Sequence, residues 1–436
     1  MMSLAHRLYV PCGVLLLAAG AATAQDLGTL PVSLEDAQNR AVAASHRLAE
    51  ARARAAVADA AVVVRQAADR PIVALAGGYS RTNHVMEFVI PGPTPVPRVL
   101  YPDVPDNYRT RLDLQWPIYT GGRTDALERA ARADASAATA EVAAAQGDLR
   151  LEVARAFWAL VTARATSAVL EQSLARAQAH VNDVRQRLAA GLVPPNEVAS
   201  AEALESRQRM LLIETRNQRD LSSAELARLI GTDLLQPIEP AATLDLPAPA
   251  TLSPSGLAVE ARTLRNDRRA LAFRIEAADL QRAAAEGSRR PMVAVTGGFD
   301  YARPNPRIFP RADRWDDSWD AGVAATWSLW DGGRARAAAI QADNLAVAAR
   351  QRLEEFDSTL ALEVRQRILE IDSGRAAVAA AAEARRVVAE RYRAGVVAQP
   401  DVRDADVALL QAELDRTRAI AGVRFAEARL ARALGR

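Results

Sequence analysis

The stretch Trp116-Pro-Ile-Tyr-Thr-Gly-Gly-Arg123 opens the segment that decides the fold of this chain. The following residues, Thr124 to Ala190, contain no proline and a single glycine, Gly147, so the sequence predicts one uninterrupted helix. At about 1.5 Å per residue this helix is roughly 100 Å long, too long for the interior of a compact domain. The helix is predicted to end at Ala190-Gly-Leu-Val-Pro-Pro195.

The chain repeats this arrangement further on. Trp327-Ser-Leu-Trp-Asp-Gly-Gly-Arg334 precedes a second long segment whose only glycine is Gly374 and which ends at Ala394-Gly-Val-Val-Ala-Gln-Pro400. The copies are offset by 211 residues at the Gly-Gly pairs (332 − 121) and by 204 at the terminal glycines Gly191 and Gly395 (395 − 191). The seven lost residues are one heptad, which preserves the face that a coiled-coil helix presents. The sequence therefore predicts a tandem duplication.

The composition favours helical bundles or coiled coils over aromatic-rich cores. Aromatic residues make up 5% of the 436 residues, whereas alanine, a strong helix former, occurs in runs such as 379–382. The formal net charge is +2, and the 55 basic and 53 acidic residues are interspersed, which excludes the single-signed surface that nucleic acid requires. Cys12 is the only cysteine, so neither disulfides nor thiolate metal sites are expected.

The first 24 residues have the pattern of a secretory signal peptide. Arg7 lies before an apolar stretch, 14–22, and Ala22-Thr-Ala24 provides a small-x-small cleavage site, so cleavage is expected after Ala24. The alternative is a membrane anchor, but the apolar stretch is short compared with the roughly 20 residues of a spanning helix.

Two segments with strand periodicity separate the helices of the first copy. A helical pattern begins at the capping-box-like Ser33-Leu-Glu-Asp36 and reaches about Asp69, and residues 72–81 then have strand spacing. The next strand alternates between an apolar face and a polar face. The apolar face has Leu112, Leu114, Trp116 and Ile118, and the polar face has Arg111, Asp113 and Gln115.

The second copy has the same pattern, with a helix from about Leu257 to Gly287 followed by two alternating strands. The apolar positions of these strands include Val293, Val295, Phe299, Tyr301, Trp319, Val323, Trp327 and Leu329. The predicted units are therefore a first repeat at 25–230 and a second at 257–436. A proline-rich linker at 231–256 joins them; it is expected to pack against the outside of the helices, and no role is assigned to it.

Four strands are too few to close a barrel, and a bilayer does not tolerate open sheet edges. Alternating strands flanked by tryptophan behind a signal peptide therefore indicate a barrel wall in an outer membrane, shared by several chains. The alternative is a small sheet that covers a soluble helical domain.

Over nearly the whole mature chain, these features resemble the TolC-type outer-membrane efflux proteins. The most specific parts are the two strand-Gly-Gly-Arg segments and the two tips, 187–198 and 391–404. The resemblance implies a mainly α fold with a small β portion. Duplicated coiled-coil hairpins would form a periplasmic α-barrel, and four strands per chain would contribute to the 12-stranded transmembrane β-barrel of a homotrimer. The tips would dock onto a periplasmic adaptor (membrane fusion) protein linked to an inner-membrane pump.

The resemblance also assigns residues at the tips. Gly191 and Leu192, with Gly395 and Val396, would contact the adaptor, although Gly191 and Gly395 are also what a left-handed helix end requires. Asp401 and Asp404 share one helix face and match the family's paired aspartates at the periplasmic mouth. A trimer would have up to six carboxylates there, which favour cations. Asp401 also suits a helix start through the helix dipole.

Tyr392 and Glu197 match family positions that hold the mouth closed. The family's partner arginine falls at Val397, so the latch would be weaker here or would use Arg393 or Arg403 instead.

No catalytic motif, cofactor motif or metal-ligand spacing is found, so no enzyme, cofactor or metal is expected. His46, His84 and His180 are scattered along the chain. The function predicted is a passive exit duct for efflux or type I secretion, and the sequence does not assign its cargo. The alternatives are a periplasmic coiled-coil adaptor or a scaffold without a pore.

Overall fold

The computed structural model describes residues 28–91, 98–246, 253–393 and 399–436, and for residues 391–393 and 399–405 it describes the backbone alone. The predicted signal peptide lies outside these residues.

The first copy consists of two short helices, a β-hairpin and a pair of long helices. Its elements are β1 (Leu30–Val32), α1 (Leu34–Ala44), α2 (His46–Ala67), β2 (Ile72–Arg81), β3 (Phe88–Ile90), β4 (Arg98–Tyr101), β5 (Asp106–Tyr119), α3 (Arg123–Ala189) and α4 (Pro195–Ile230). The long helix is confirmed: α3 has 67 residues without a break. The predicted start is also confirmed, because the Ser33 hydroxyl accepts the Asp36 amide at 3.1 Å.

After a linker strand, the second copy repeats the order of two short helices, a β-hairpin and two long helices. Its elements, with that strand, are β6 (Ile238–Pro240), α5 (Pro254–Leu264), α6 (Asn266–Gly287), β7 (Met292–Arg303), β8 (Asp316–Thr326), α7 (Arg334–Arg393) and α8 (Gln399–Ala433). The second long helix, α7, has 60 residues, seven fewer than α3.

The prediction of a single helix before each hairpin is wrong. In both copies this segment forms two helices, separated at one residue with an extended backbone. Ser45 has φ −70° and ψ 114°, and Arg265, which lies 220 residues later (265 − 45), has φ −66° and ψ 117°. Each break receives the end of a long return helix. Gly231, at φ 73°, approaches so closely that an added Cβ would lie 2.5 Å from the Ala44 Cβ, and Gly435, at φ 83°, meets the carbonyl of Leu264 in the same way.

The last strand ends before its predicted end. Alternation suggested a strand reaching Leu329, but β8 ends at Thr326. The reason is local. The Trp327 indole donates a hydrogen bond to the Arg289 carbonyl at 3.0 Å, and the Asp331 carboxylate accepts hydrogen bonds from the amides of Gly333 and Ala335 at the start of α7.

The linker was predicted to pack against the outside of the helices, but it forms part of the first copy's core. Its strand β6 pairs in parallel with β1, and Ile238 is buried among residues of α1, α3 and α4. The linker continues to Leu244 and Leu246, which pack against the buried Val378 and Val423 of the second copy. It therefore runs across both copies.

The long helix α3 is the centre of the helical part. It packs against α2 and α6 and also against α4 and α8, while α7 packs against α6 and α8 on the far side. Among the described residues it is the single helix apolar enough to span a membrane by composition, but half of that apolar window is buried in the protein. Its apolar residues therefore serve helix packing.

Candidate functional site

Four strands form one antiparallel sheet in the order β2-β5-β7-β8. The register aligns the alternating apolar residues in a row across all four strands: Leu75 lies opposite Leu112, Leu112 opposite Phe299, and Phe299 opposite Trp319. All four side chains are exposed, and Trp319 is 72% exposed. In the described part of the chain, no helix packs across this face.

Aromatic side chains lie at both ends of the apolar face. At the loop end, Tyr79 and Tyr108 are 5.0 Å apart, and Tyr301 stacks on Trp315 at 4.9 Å. At the helix end, Trp116 is anchored by a 3.1 Å hydrogen bond from its indole to the Asp69 carbonyl. The eight residue-to-residue steps from Tyr108 to Trp116 span roughly 27 Å along the strand. The girdles of a membrane barrel flank an apolar band about 25 Å tall.

The two outer strands are each paired on one side. Strand β2 pairs with β5 and β8 with β7, which leaves one free edge on each outer strand within the described residues. The alternative of a sheet that covers a helical domain is excluded, because the apolar face lies open to the outside instead of on the helices. The geometry fits a segment of a larger barrel with its apolar face toward lipid.

At the opposite end of the molecule, the turn from α3 to α4 is a Schellman motif. Gly191, at φ 74°, donates to the Leu188 carbonyl at 2.9 Å, and the Leu192 amide donates to the Arg187 carbonyl at 2.9 Å. The Leu192 side chain is 73% exposed. Below it, Val181, Val184 and Ala201 form a small buried cluster. A rigid turn therefore presents an exposed leucine.

Glu197 lies in the first turn of α4, next to this tip, and is half-buried. The structure thus brings together three of the predicted residues: Gly191, Leu192 and Glu197. The others are at the second tip. Gly395, Val396 and Val397 lie outside the described residues, and Tyr392, Asp401 and Asp404 lie at helix ends whose side chains are not described.

A charged contact between the two long hairpins was not predicted from the sequence. Arg176 of α3 reaches two carboxylates of α8, with its Nε 3.4 Å from Asp406 and its Nη2 3.7 Å from Glu413. Arg385 of α7 also reaches Glu413, at 3.5 Å. Asp406 is 5% exposed. Its signal in the sequence was the seven-residue spacing to Glu413 beside the buried Leu409 and Leu410, which marks an inward-facing heptad position.

No group of three or more potential metal ligands occurs among the described residues.

Comparison with known proteins identifies relatives over nearly the whole chain. The model of the family described as "outer membrane efflux protein" matches residues 37–232 and 257–436. Three solved structures have the same fold, each aligned over 92% of this chain. A membrane protein from Pseudomonas aeruginosa has a TM-score of 0.73 at 23% identity, with 93% of that chain covered. VceC from Vibrio cholerae has a TM-score of 0.73 at 22% identity, with 96% of that chain covered. The open state of MtrE from Neisseria gonorrhoeae has a TM-score of 0.71 at 21% identity, with 88% of that chain covered. No curated protein sequence matches.

Proposed function

The chain belongs to the outer membrane efflux protein family, and from this membership and its open sheet we propose that three copies close one channel across the outer membrane. As a member of the family it is a non-enzymatic outer-membrane channel of a tripartite efflux system. The observation that carries the proposal is the exposed apolar face bounded by two free edges. Pairing the free edge of β8 with β2 of the next copy would remove every edge, as a bilayer requires. Three chains of four strands would give 12.

The helical part supports the same closure. Helices α2 and α4 lie on one flank of α3, and α7 lies on the other flank of the protein. Both flanks carry exposed apolar side chains, which are Val57, Val63, Val64, Met210, Ile213 and Leu221 on the first and Ile340, Leu345, Leu362 and Leu369 on the second. Two apolar flanks of one protomer suit a ring in which each copy covers the next.

The far end would be the docking end. We assign the exposed Leu192 on its glycine turn, with Gly191, to contact with a periplasmic adaptor, and Gly395 and Val396 to the equivalent contact of the second tip. The adaptor would connect the tube to an inner-membrane pump. The mature chain would begin after Ala24, once the signal peptide has been removed.

At the mouth, Asp401 and Asp404 would form a ring of carboxylates in the trimer. The double variant Asp401→Ala with Asp404→Ala is expected to reduce cation selectivity and block by multivalent cations, because such a ring concentrates cations. Bilayer recordings measure both, with Asp415→Ala, an exposed acid further along α8, as the control. Unchanged selectivity in the double variant would contradict the ring.

Tyr392 and Glu197 would hold the mouth closed between neighbouring helices. Because Val397 replaces the family's arginine, the remaining hydrogen bond would contribute about 1 kcal/mol, and Arg393 or Arg403 could supply the missing charge.

The first experiment separates outer membrane from soluble periplasm and measures the mass of the detergent-extracted particle. An outer-membrane particle of three protomers is expected. A monomer in the soluble periplasm would contradict the channel, and an outer-membrane particle with another number of copies would contradict the 12-stranded closure alone.

A further inference from the structure

The face of the sheet opposite the apolar row carries a network of charges. We call it the collar, and it consists of Arg109, Arg111 and Asp113 on β5, Asp300 on β7, Asp320 on β8 and Arg307 in the loop between β7 and β8. Alternation places these strand residues on the inner face, because their neighbours Leu112, Phe299 and Trp319 form the apolar row. In a closed barrel this face lines the channel.

Asp300 is at the centre of the collar. Its carboxylate accepts from Arg109 Nε at 2.5 Å and also from Arg111 Nη1, and its side chain is 3% exposed. Arg111 further donates to Asp113 at 2.6 Å and to Asp320 at 3.2 Å, so its guanidinium links β5 with β7 and β8. Two arginines thus enclose one buried carboxylate.

The path of Arg111 across β7 depends on a glycine. A Cβ at Gly298 would collide with the Arg111 guanidinium, whereas at the adjacent Gly297, on the apolar face, the nearest atom would be 3.6 Å away. Gly298 therefore provides the space through which Arg111 reaches Asp320.

The loop above the sheet joins the same network. Arg307 donates to the Trp319 carbonyl at 2.9 Å and to Asp320 at 3.2 Å, and the buried Asn305 donates to the Ser318 hydroxyl at 3.0 Å. Ser318 lies opposite Asp300 on the inner face. The loop therefore bends toward the channel side and adds a third arginine.

The fold does not require these charges. The position equivalent to Asp300 in the first copy, 220 residues earlier, is Ser80, and the position equivalent to Arg111, 211 residues later, is Gly322. Both β-hairpins form with the same pairing, so the network distinguishes the copies without determining their backbone.

The collar contains three arginines and three aspartates, so its formal charge is zero. We propose that Asp300 is a specificity-determining residue of the channel: by pairing with Arg109 and Arg111, it completes the zero net charge of the collar and keeps the barrel lumen from acting as an anion-binding ring. Cargo of either charge can then pass this section. The proposal rests on the trimeric barrel proposed above, in which three collars would surround one lumen.

The test is Asp300→Asn, which nearly preserves the side-chain shape and removes one negative charge per protomer. The cation-to-anion permeability ratio, taken from the reversal potential across a bilayer in a KCl gradient, should fall by at least about twofold, because three uncompensated positive charges face the lumen. The effect should weaken in concentrated salt. Asp313→Asn is the matched control, since it breaks the ion pair with Arg303, which lies on the other face.

Two further variants separate charge from shape. Asp300→Asn with Arg111→Gln restores a neutral collar and should return the ratio toward that of the unmodified channel. Gly298→Ala should displace Arg111 and shift the ratio by a smaller amount, while Gly297→Ala should leave it unchanged.

Ser80→Asp keeps the test decisive if Asp300→Asn does not assemble. It breaks no ion pair and adds a negative charge on the inner face of β2, so the ratio should rise. Trimeric channels of Asp300→Asn, or of Ser80→Asp if the first fails to assemble, with unchanged reversal potentials would overturn the proposal. An unmodified protein that forms no conducting trimer would instead contradict the proposed function, and the collar proposal with it.

Discussion

The two copies of the repeated unit share a backbone and differ in their charges. Their buried cores correspond position by position: Ala41 and Ala261 are both fully buried, and Leu149 and Val153 of α3 correspond to Leu360 and Val364 of α7. At the break before α2 and α6, however, the first copy has Ser45 and the second has Arg265.

The environment of Arg265 is ionic and buried. Its side chain, 8% exposed, donates to Asp267 at 2.8 Å, lies 3.4 Å from Glu363, and reaches the Ala433 carbonyl at the end of α8. Arg432, also of α8, lies 3.2 Å from Asp267. The equivalent Ser45 only caps a helix, by accepting the Leu48 amide at 3.2 Å. Apolar packing thus maintains the duplicated backbone, and charged residues make the copies different.

The largest effect is expected from alanine substitution at these two equivalent positions. Arg265→Ala removes a buried guanidinium that pairs with the half-buried carboxylates of Asp267 and Glu363 and with the carbonyls at the end of α8, and should cost about 3 kcal/mol. Ser45→Ala removes one cap and should cost about 1 kcal/mol. Thermal unfolding of the detergent-solubilised protein compares the two variants. Equal losses of stability in Arg265→Ala and Ser45→Ala would mean that the buried ion pairs of Arg265 contribute no more than the helix cap of Ser45.

Acid should weaken the second copy through Asp267. Burial raises the pKa of this carboxyl, but the hydrogen bond from Arg265 and the charge of Arg432 outweigh burial, so the pKa lies below its ordinary value. The stability it contributes is present above the unfolded pKa of about 4 and is lost as the pH falls through the lowered folded pKa. When unfolding temperatures are measured against pH, the decrease on acidification, here called the acid loss, should therefore be smaller in Asp267→Asn than in the unmodified protein.

The first copy provides the control for this experiment. Arg47, at the position equivalent to Asp267, pairs with Glu152 and is 62% exposed. Arg47→Ala should therefore leave the acid loss unchanged. The same change in acid loss for both variants would show that the loss does not arise from the second copy.

The smallest effect is expected where the copies are alike. Trp116 and Trp327 each donate an indole hydrogen bond to a carbonyl just before the first strand of their own hairpin, Asp69 at 3.1 Å and Arg289 at 3.0 Å. Trp116→Phe and Trp327→Phe should each cost about 1 kcal/mol in thermal unfolding. A loss confined to one variant would show that the two hairpins are anchored differently.

Much of the fold was predictable because periodicity and glycine positions are local signals. The 67-residue helix, the capped start at Ser33 and the apolar row of β5 follow from residues close together in the chain. The helix breaks were not predictable from such signals. Ser45 and Arg265 lie at the points where distant glycines pack: Gly231 packs against Ala44, and Gly435, at the end of the chain, packs against Leu264 and the Arg265 amide.

The functional residues likewise include some that were predictable from the sequence and some that were not. The glycine turn with exposed Leu192 was predictable from the tip sequence, but the contact of Arg176 with Asp406 joins helices from different copies. The collar was also not predictable, since the pairing of Arg111 with Asp300 depends on strand order and register across 189 residues.

By itself, the sequence determined the duplication, the lengths of the helices and the two-faced strands, because helix and strand periods depend on neighbouring residues alone. Only the tertiary structure decided that β5 lies beside β7, which joins the two hairpins into one sheet. It also decided that Gly298 makes space for an arginine and that one buried aspartate pairs with two arginines. Contacts between charges depend on distances in space, which the order of residues along the chain does not specify.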